Sequence, residues 1–185
     1  MLEFQRGSRP AFEELFARYR GPLYGFFRRR LESQERAEDL AQETFLAVIR
    51  ATARYEPRAL VRTYLYGIAL KLVAAERRMQ QTSGAVAPLE TEPAMENASD
   101  AALWVRQALG KLDAQEREIL MLREYEQLSY SEIADLLRLP VNTVRSRLFR
   151  SRMALKNYLE GRSQGAVAAS GAAGSAEVNP REGEG

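Results

Sequence analysis

From Pro140 to Lys156 the chain carries five basic side chains and no acidic one. Val141, Val144 and Leu148 recur there at three- and four-residue spacing, which predicts a helix that buries those three. Its other faces present Asn142, Thr143, Arg145, Ser146, Arg147, Arg150 and Arg152. Guanidinium forks pair with phosphate oxygens or with the acceptor edge of guanine, and amides and hydroxyls read other base edges. A helix furnished this way holds and reads a polyanion; it makes and breaks no covalent bonds. Phosphate contacts would give salt-sensitive affinity, and one arginine on guanine discriminates by roughly 1–3 kcal/mol.

Two absences narrow the chemistry further. The 185 residues include no cysteine and no histidine. That removes disulfides, thiolate nucleophiles and Cys/His zinc sites, and with them the side chain most often used for acid–base catalysis near neutral pH. No catalytic residue, metal site, cofactor or small-molecule substrate is assigned, and the expectation is a protein that is not an enzyme. The net charge of +2 hides segregation: residues 1–79 are net +5, 80–100 net −4, 101–160 net +2 and the remainder net −1. Only Lys71, Lys111 and Lys156 are lysines. No stretch approaches the roughly 18–20 apolar residues of a membrane span, and the N-terminus lacks the apolar run of a secretory signal. The expected location is the cytoplasm, without membrane insertion.

The basic helix needs a scaffold, and the sequence supplies one. Ser129 can cap a short helix, with Glu132 three positions on completing a capping box. Ile133, Ala134 and Leu137 form its inner face, the chain turns through Arg138-Leu139, and Pro140 suits the first turn of the next helix. This is the pattern of a helix-turn-helix, whose second helix enters the major groove. Two further helices precede it, one from about Asp100 with Leu103, Val105, Leu109 and Leu112, the next from the Asp113 cap with Ile119, Leu120 and Leu122.

Three apolar stripes at helical spacing occupy the first part. They are Phe12–Phe27, interrupted by Gly21-Pro22 that bends or restarts the helix; Ala37, Leu40, Ala41, Thr44, Phe45, Val48 and Ile49; and Val61, Tyr64, Leu65, Ile68, Ala69, Leu72 and Val73. The reading is all-α: two small helical domains, 1–79 and 100–160, joined by an acidic, flexible linker at 80–99 and followed by an Ala/Gly-rich disordered tail at 161–185. Asn97-Ala98-Ser99 fits a glycosylation sequon, which has no meaning in a chain that is not secreted.

AEDLAQETFLAVIRA in the first domain and LSYSEIADLLRLPVNTVRSRLFRSRMAL in the second, in this order and separated by a linker, resemble the paired signatures of the extracytoplasmic-function (ECF) group of bacterial RNA polymerase sigma factors. The resemblance covers about residues 10–158. It implies a factor that binds core RNA polymerase, directs it to promoters and assists DNA melting. The partners it implies are the clamp helices of the largest subunit, the flap region, promoter DNA and an anti-sigma protein. By similarity Asp39, Gln42 and Glu43 face the clamp; three- and four-residue spacing lets one helical face present all three. The third helix and the loop before it would engage the −10 element with Tyr55, Arg58, Arg62, Lys71, Arg77 and Arg78. Tyr64 lies on the apolar stripe and reads as core, whereas Tyr55, before Pro57, is the better exposed aromatic for base stacking.

The second domain would read the −35 element with Asn142, Thr143, Arg145, Ser146 and Arg150, leaving Arg147 and Arg152 for phosphates. The segment RTYLYGIALKLVAAERR departs from the family pattern, which usually has tryptophan at the position of Tyr64, asparagine at Lys71 and often aspartate at Ala75. Lysine holds phosphate but lacks an amide's paired donor and acceptor, so a different −10 preference is expected. The competing reading is a stand-alone helix-turn-helix regulator with an N-terminal dimerisation module. It would bind a palindromic duplex without polymerase, with half-sites about one helical turn apart.

Overall fold

The computed structural model describes residues 1–82 and 100–173, with the backbone alone for 100–102 and 161–173. Every regular element among them is a helix. α1 (Leu2–Gln5) is a single turn. α2 (Arg9–Arg28), α3 (Gln34–Ala51) and α4 (Val61–Thr82) form the first unit, with a 3-10 turn at Thr52–Arg54. α5 (Asp100–Gly110), α6 (Ala114–Glu124), α7 (Tyr130–Leu137) and α8 (Val141–Ala173) form the second.

Local signals set most helix starts. Gly7, at φ +94°, reverses the chain after α1, and the Ser8 hydroxyl accepts from the Ala11 N–H at 3.4 Å to open α2. Ser33 caps α3 through the Arg36 N–H at 3.1 Å, and Asp113 caps α6 through the Gln115 N–H at 2.9 Å. α2 runs unbroken through Pro22. An interior proline costs about 3 kcal/mol. Leu23, Phe26 and Phe27 follow it at 0% exposure, and each such burial contributes about 1.5–3 kcal/mol, enough to hold the helix together. α4 continues to Thr82 and α8 to Ala173, past the boundaries expected at 79 and 160. Neither extension meets a proline; Gln80 and Gln81 are good helix formers, and the α8 extension includes alanine, the strongest. Residues 83–99 and 174–185, and with them most of the expected linker and the end of the tail, lie outside the described residues.

The two units are docked on each other. One apolar cluster runs from Leu23, Phe26 and Phe27 through Tyr66, Ala69 and Val73 of α4 to Ile119, Leu122, Ile133 and Leu148. This contact corrects the stripe read for α4, whose buried residues are Thr63, Leu65, Tyr66, Ala69 and Val73. The second unit covers a face that the isolated helix would leave in water. Ile49, read as core, is 45% exposed at the last turn of α3, and Val141 is 39% exposed at the first turn of α8.

Charge reinforces the seam. The Arg30 side chain is 1% exposed, lies over the Phe26 ring at 3.7 Å and meets Glu118 at 2.8 Å and Glu126 at 3.6 Å. Arg29 pairs with Glu126 at 2.7 Å. Burial, and then the adjoining Glu126 carboxylate, push the Tyr66 phenol well above its ordinary value.

Candidate nucleic-acid and polymerase interfaces

The helix-turn-helix is built from its caps. Ser129 Oγ accepts the Glu132 N–H at 3.2 Å while Glu132 accepts the Ser129 N–H at 2.9 Å, closing the expected capping box. Arg138 then takes a left-handed conformation (φ 54°), and the Leu139 N–H reaches the Ala134 carbonyl at 2.9 Å. α8 starts at once, with the Pro140 carbonyl accepting from the N–H groups of Thr143 and Val144. Val144, Leu148 and Ser151 are buried.

This anchoring aims the opposite face outward. Asn142, Arg145, Ser146 and Arg150 are exposed, and Arg145 forms no ion pair among the described residues. Three other arginines are held by α6: Arg147 on Gln115, Arg150 on Glu116 at 2.9 Å and Arg152 on Glu124 at 2.6 Å. Phe149, which sequence reasoning passed over, is 67% exposed among them. Its position beside Leu148, off the buried stripe, was the available signal.

On α3 the structure brings Asp39, Gln42 and Glu43 to one side, the first two exposed. Leu46 and Ile49 extend that side as exposed apolar residues, also unforeseen. Below them the Glu76 hydrogen bond, at 2.7 Å, raises the Arg36 pKa and holds this guanidinium beside Asp39. Acidic groups at one end of an exposed apolar strip suit a protein partner with complementary basic groups.

The six residues expected at the −10 element are not gathered on one open face. Arg58, Lys71 and Arg78 are exposed. Tyr55, expected as the exposed aromatic, is 7% exposed; its ring stands edge-on to Tyr64 at 5.1 Å, and burial pushes its phenol up. The nearby Pro57 does not turn the ring outward; the Tyr64 ring of α4 packs against it. Arg62 is engaged by Glu132 of α7 at 2.6 Å, and Arg77 is half-buried at the seam, where desolvation lowers its pKa. A cleft of about 480 Å³ separates the 54–59 loop from Asp135 and Leu136.

Residues 15–82 match the family model for sigma-70 region 2, and residues 102–155 match that for sigma-70 region 4. The RNA polymerase sigma-H factor of Pseudomonas aeruginosa is 32% identical over 173 residues, covering 84% of this chain and 90% of that protein. The ECF RNA polymerase sigma-E factor of Escherichia coli is 30% identical over the same shares. The chain belongs to the ECF sigma factors. Its helical pair of units is therefore regions 2 and 4 of a transcription-initiation factor, a class that works with core RNA polymerase on promoter DNA. The fold of this sigma factor is also that of the sigma factor RpoE in complex with the anti-sigma factor NepR from Bartonella quintana. That likeness has a TM-score of 0.66 at 23% identity, covering 81% of this chain and 97% of that one. No helix among the described residues is long and apolar enough to cross a membrane.

Proposed function

We propose that the ECF sigma factor divides its work among three surfaces. Asp39, Gln42 and Glu43, with the neighbouring Leu46 and Ile49, dock on the clamp helices of the largest polymerase subunit. The 54–60 loop and α4 engage the −10 element through Arg58, Lys71 and Arg78. Arg62 and Arg77 join them once region 4 has moved off α4, and Tyr55 supports the loop from beneath. Lys71 contributes charge where an amide would have read a base. Asn142, Thr143, Arg145, Ser146 and Arg150 read the −35 duplex, with Arg147 and Arg152 on phosphates. Residues 1–79 and 100–160 are the working units and 80–99 the connection between them.

Polymerisation chemistry belongs to the core enzyme; this chain turns over nothing itself and acts in the cytoplasm. An anti-sigma protein is its expected regulator, in keeping with the complex of its structural relative. The observation that carries the division of labour is the pairing, in one chain, of an exposed acidic–apolar face on α3 with an acid-free, outward-facing recognition helix.

Co-elution with core RNA polymerase on a sizing column tests it. The wild-type chain should form a stable complex and Asp39→Arg a much weaker one, with both proteins equally folded. Equal complexes would remove the α3 face from the interface. No complex with either would overturn the proposed docking of this face on the core enzyme.

A further inference from the structure

The first turn of the chain reaches across to the loop that follows α3. Gln5 Nε2 donates to the Tyr55 carbonyl at 3.1 Å and to the Ala53 carbonyl at 3.4 Å, across 50 and 48 residues of sequence. These carbonyls end the Thr52–Arg54 turn, where a helix leaves acceptors without partners of its own. Gln5 thus caps that turn from a distance. Its own placement is firm: Met1 and Phe4 pack against the cluster of Leu15, Val48 and Leu65, and the Phe4 ring lies 4.8 Å from Phe12.

Beyond this point the loop changes character. Tyr55 is buried, whereas Glu56, Pro57, Arg58, Ala59 and Leu60 are all exposed, and α4 begins only at Val61. A protruding tip of five exposed residues thus stands on a base fixed twice, by the Tyr64 ring from the side-chain direction and by the Gln5 amide from the backbone. A loop ordered before binding loses less conformational freedom when it meets its target, and it discriminates better for that reason.

We propose that Gln5 is a positioning residue for −10 recognition: by holding the Tyr55 and Ala53 carbonyls it presets the 56–60 tip that meets the promoter. The inference rests on the assignment of this loop to the −10 element. Gln5 touches no DNA; it acts through the backbone it holds.

The test uses full-length protein reconstituted with core polymerase and a promoter selected by that holoenzyme from a library randomised at −10. Gln5→Glu keeps the size of the side chain but sets a carboxylate against two carbonyls, and Gln5→Arg restores N–H donors. The readout is the ratio of open-complex yield on the selected promoter to that on single-base −10 variants. Gln5→Glu should narrow this ratio by about three- to ten-fold, the loss of one or two hydrogen bonds. Core affinity and the effect of −35 substitutions should not move, and Gln5→Arg should regain most of the ratio.

An unchanged ratio in Gln5→Glu overturns the proposal, as does a loss that tracks falling core affinity or that Gln5→Arg does not repair. Arg58→Ala separates the two levels. If it narrows the ratio while Gln5→Glu does not, only the positioning role fails. If neither variant changes the ratio, the loop is not the −10 reader and the proposal falls with that assignment.

Discussion

Arg62 of α4 and Glu132 of α7 meet fork to fork, Nε on Oε1 at 2.7 Å and Nη2 on Oε2 at 2.6 Å. The same carboxylate accepts the Thr63 hydroxyl at 2.7 Å and the Ser129 N–H at 2.9 Å. One side chain therefore closes the capping box of the helix-turn-helix and ties region 4 to the helix proposed to meet the −10 strand. Local folding of one unit and docking of the two share a single charged group.

That sharing makes the docked state sensitive to acid. Burial opposes the Glu132 charge, but hydrogen bonds from Arg62, from the Ser129 backbone and side chain and from Thr63 outweigh it, and hold the pKa at about 2 against an ordinary 4.5. A depressed carboxylate stabilises the fold above its unfolded pKa, and the contribution fades as pH falls towards the folded value, here from about pH 5 to about pH 2. Across that window the thermal midpoint of the wild type should fall more steeply than that of Glu132→Gln. At neutral pH the variant should be less stable by about 1–3 kcal/mol. Parallel curves for the two proteins would assign the acid response to other groups.

Arg62 cannot hold Glu132 and a phosphate with the same donors. Freeing it should strengthen the affinity of the isolated sigma factor for a single-stranded −10 oligonucleotide, by several-fold in Glu132→Gln at low salt. Adding Arg62→Ala to Glu132→Gln should abolish the gain. Fluorescence anisotropy with a labelled strand measures both, and an affinity indifferent to Glu132 would separate the ion pair from DNA binding.

How much of this was legible from the sequence depends on how far apart the partners lie. Ser129 and Glu132 are three residues apart, so their capping box could be read directly, and the Val144–Leu148 stripe likewise fixed the outward face of α8. Nothing near Arg29 and Arg30 in sequence marks them out; they are drawn inward by Glu118 and Glu126, roughly 90 residues further along the chain, as the 88-residue span of the Arg30–Glu118 contact shows. Tyr55 was misjudged for the same reason: its burial comes from Tyr64 and a carbonyl held by Gln5, and neither follows from the proline beside it. Periodicity also assumes that a stripe meets one neighbour. α4 meets α3 on one side and α7 on another, which adds Thr63 and Tyr66 to its buried set.

The Arg30 side chain offers the sharpest test of the seam. Removing it leaves Glu118 and the 2%-exposed Glu126 side chain in a low-dielectric contact with less positive charge. Arg30→Met should destabilise the protein by about 3–5 kcal/mol, the usual cost of stranding a buried partner. Glu118→Gln in the same background should recover part of it, because two neutral groups tolerate burial better than one unpaired charge. Denaturant unfolding of the four proteins of this cycle gives the coupling. Additive losses would mean that the two side chains do not act as a pair.

On the recognition helix, Arg145 and Arg152 should separate reading from holding. Arg145 is exposed and unpaired among the described residues, while Arg152 is already bonded to Glu124 at 2.6 Å, and that bond raises its pKa. Arg145→Ala should cost about 1–3 kcal/mol on the preferred −35 duplex and relax the preference at one base pair, with little loss on unrelated sequences. Arg152→Ala should weaken all duplexes alike and lower the slope of affinity against salt by at most about one, because Glu124 already neutralises part of its charge. Holoenzyme binding to a panel of −35 variants at several salt concentrations distinguishes the two. A uniform loss from Arg145→Ala would place its guanidinium on the backbone and shift base reading to Asn142 and Ser146, which are also exposed.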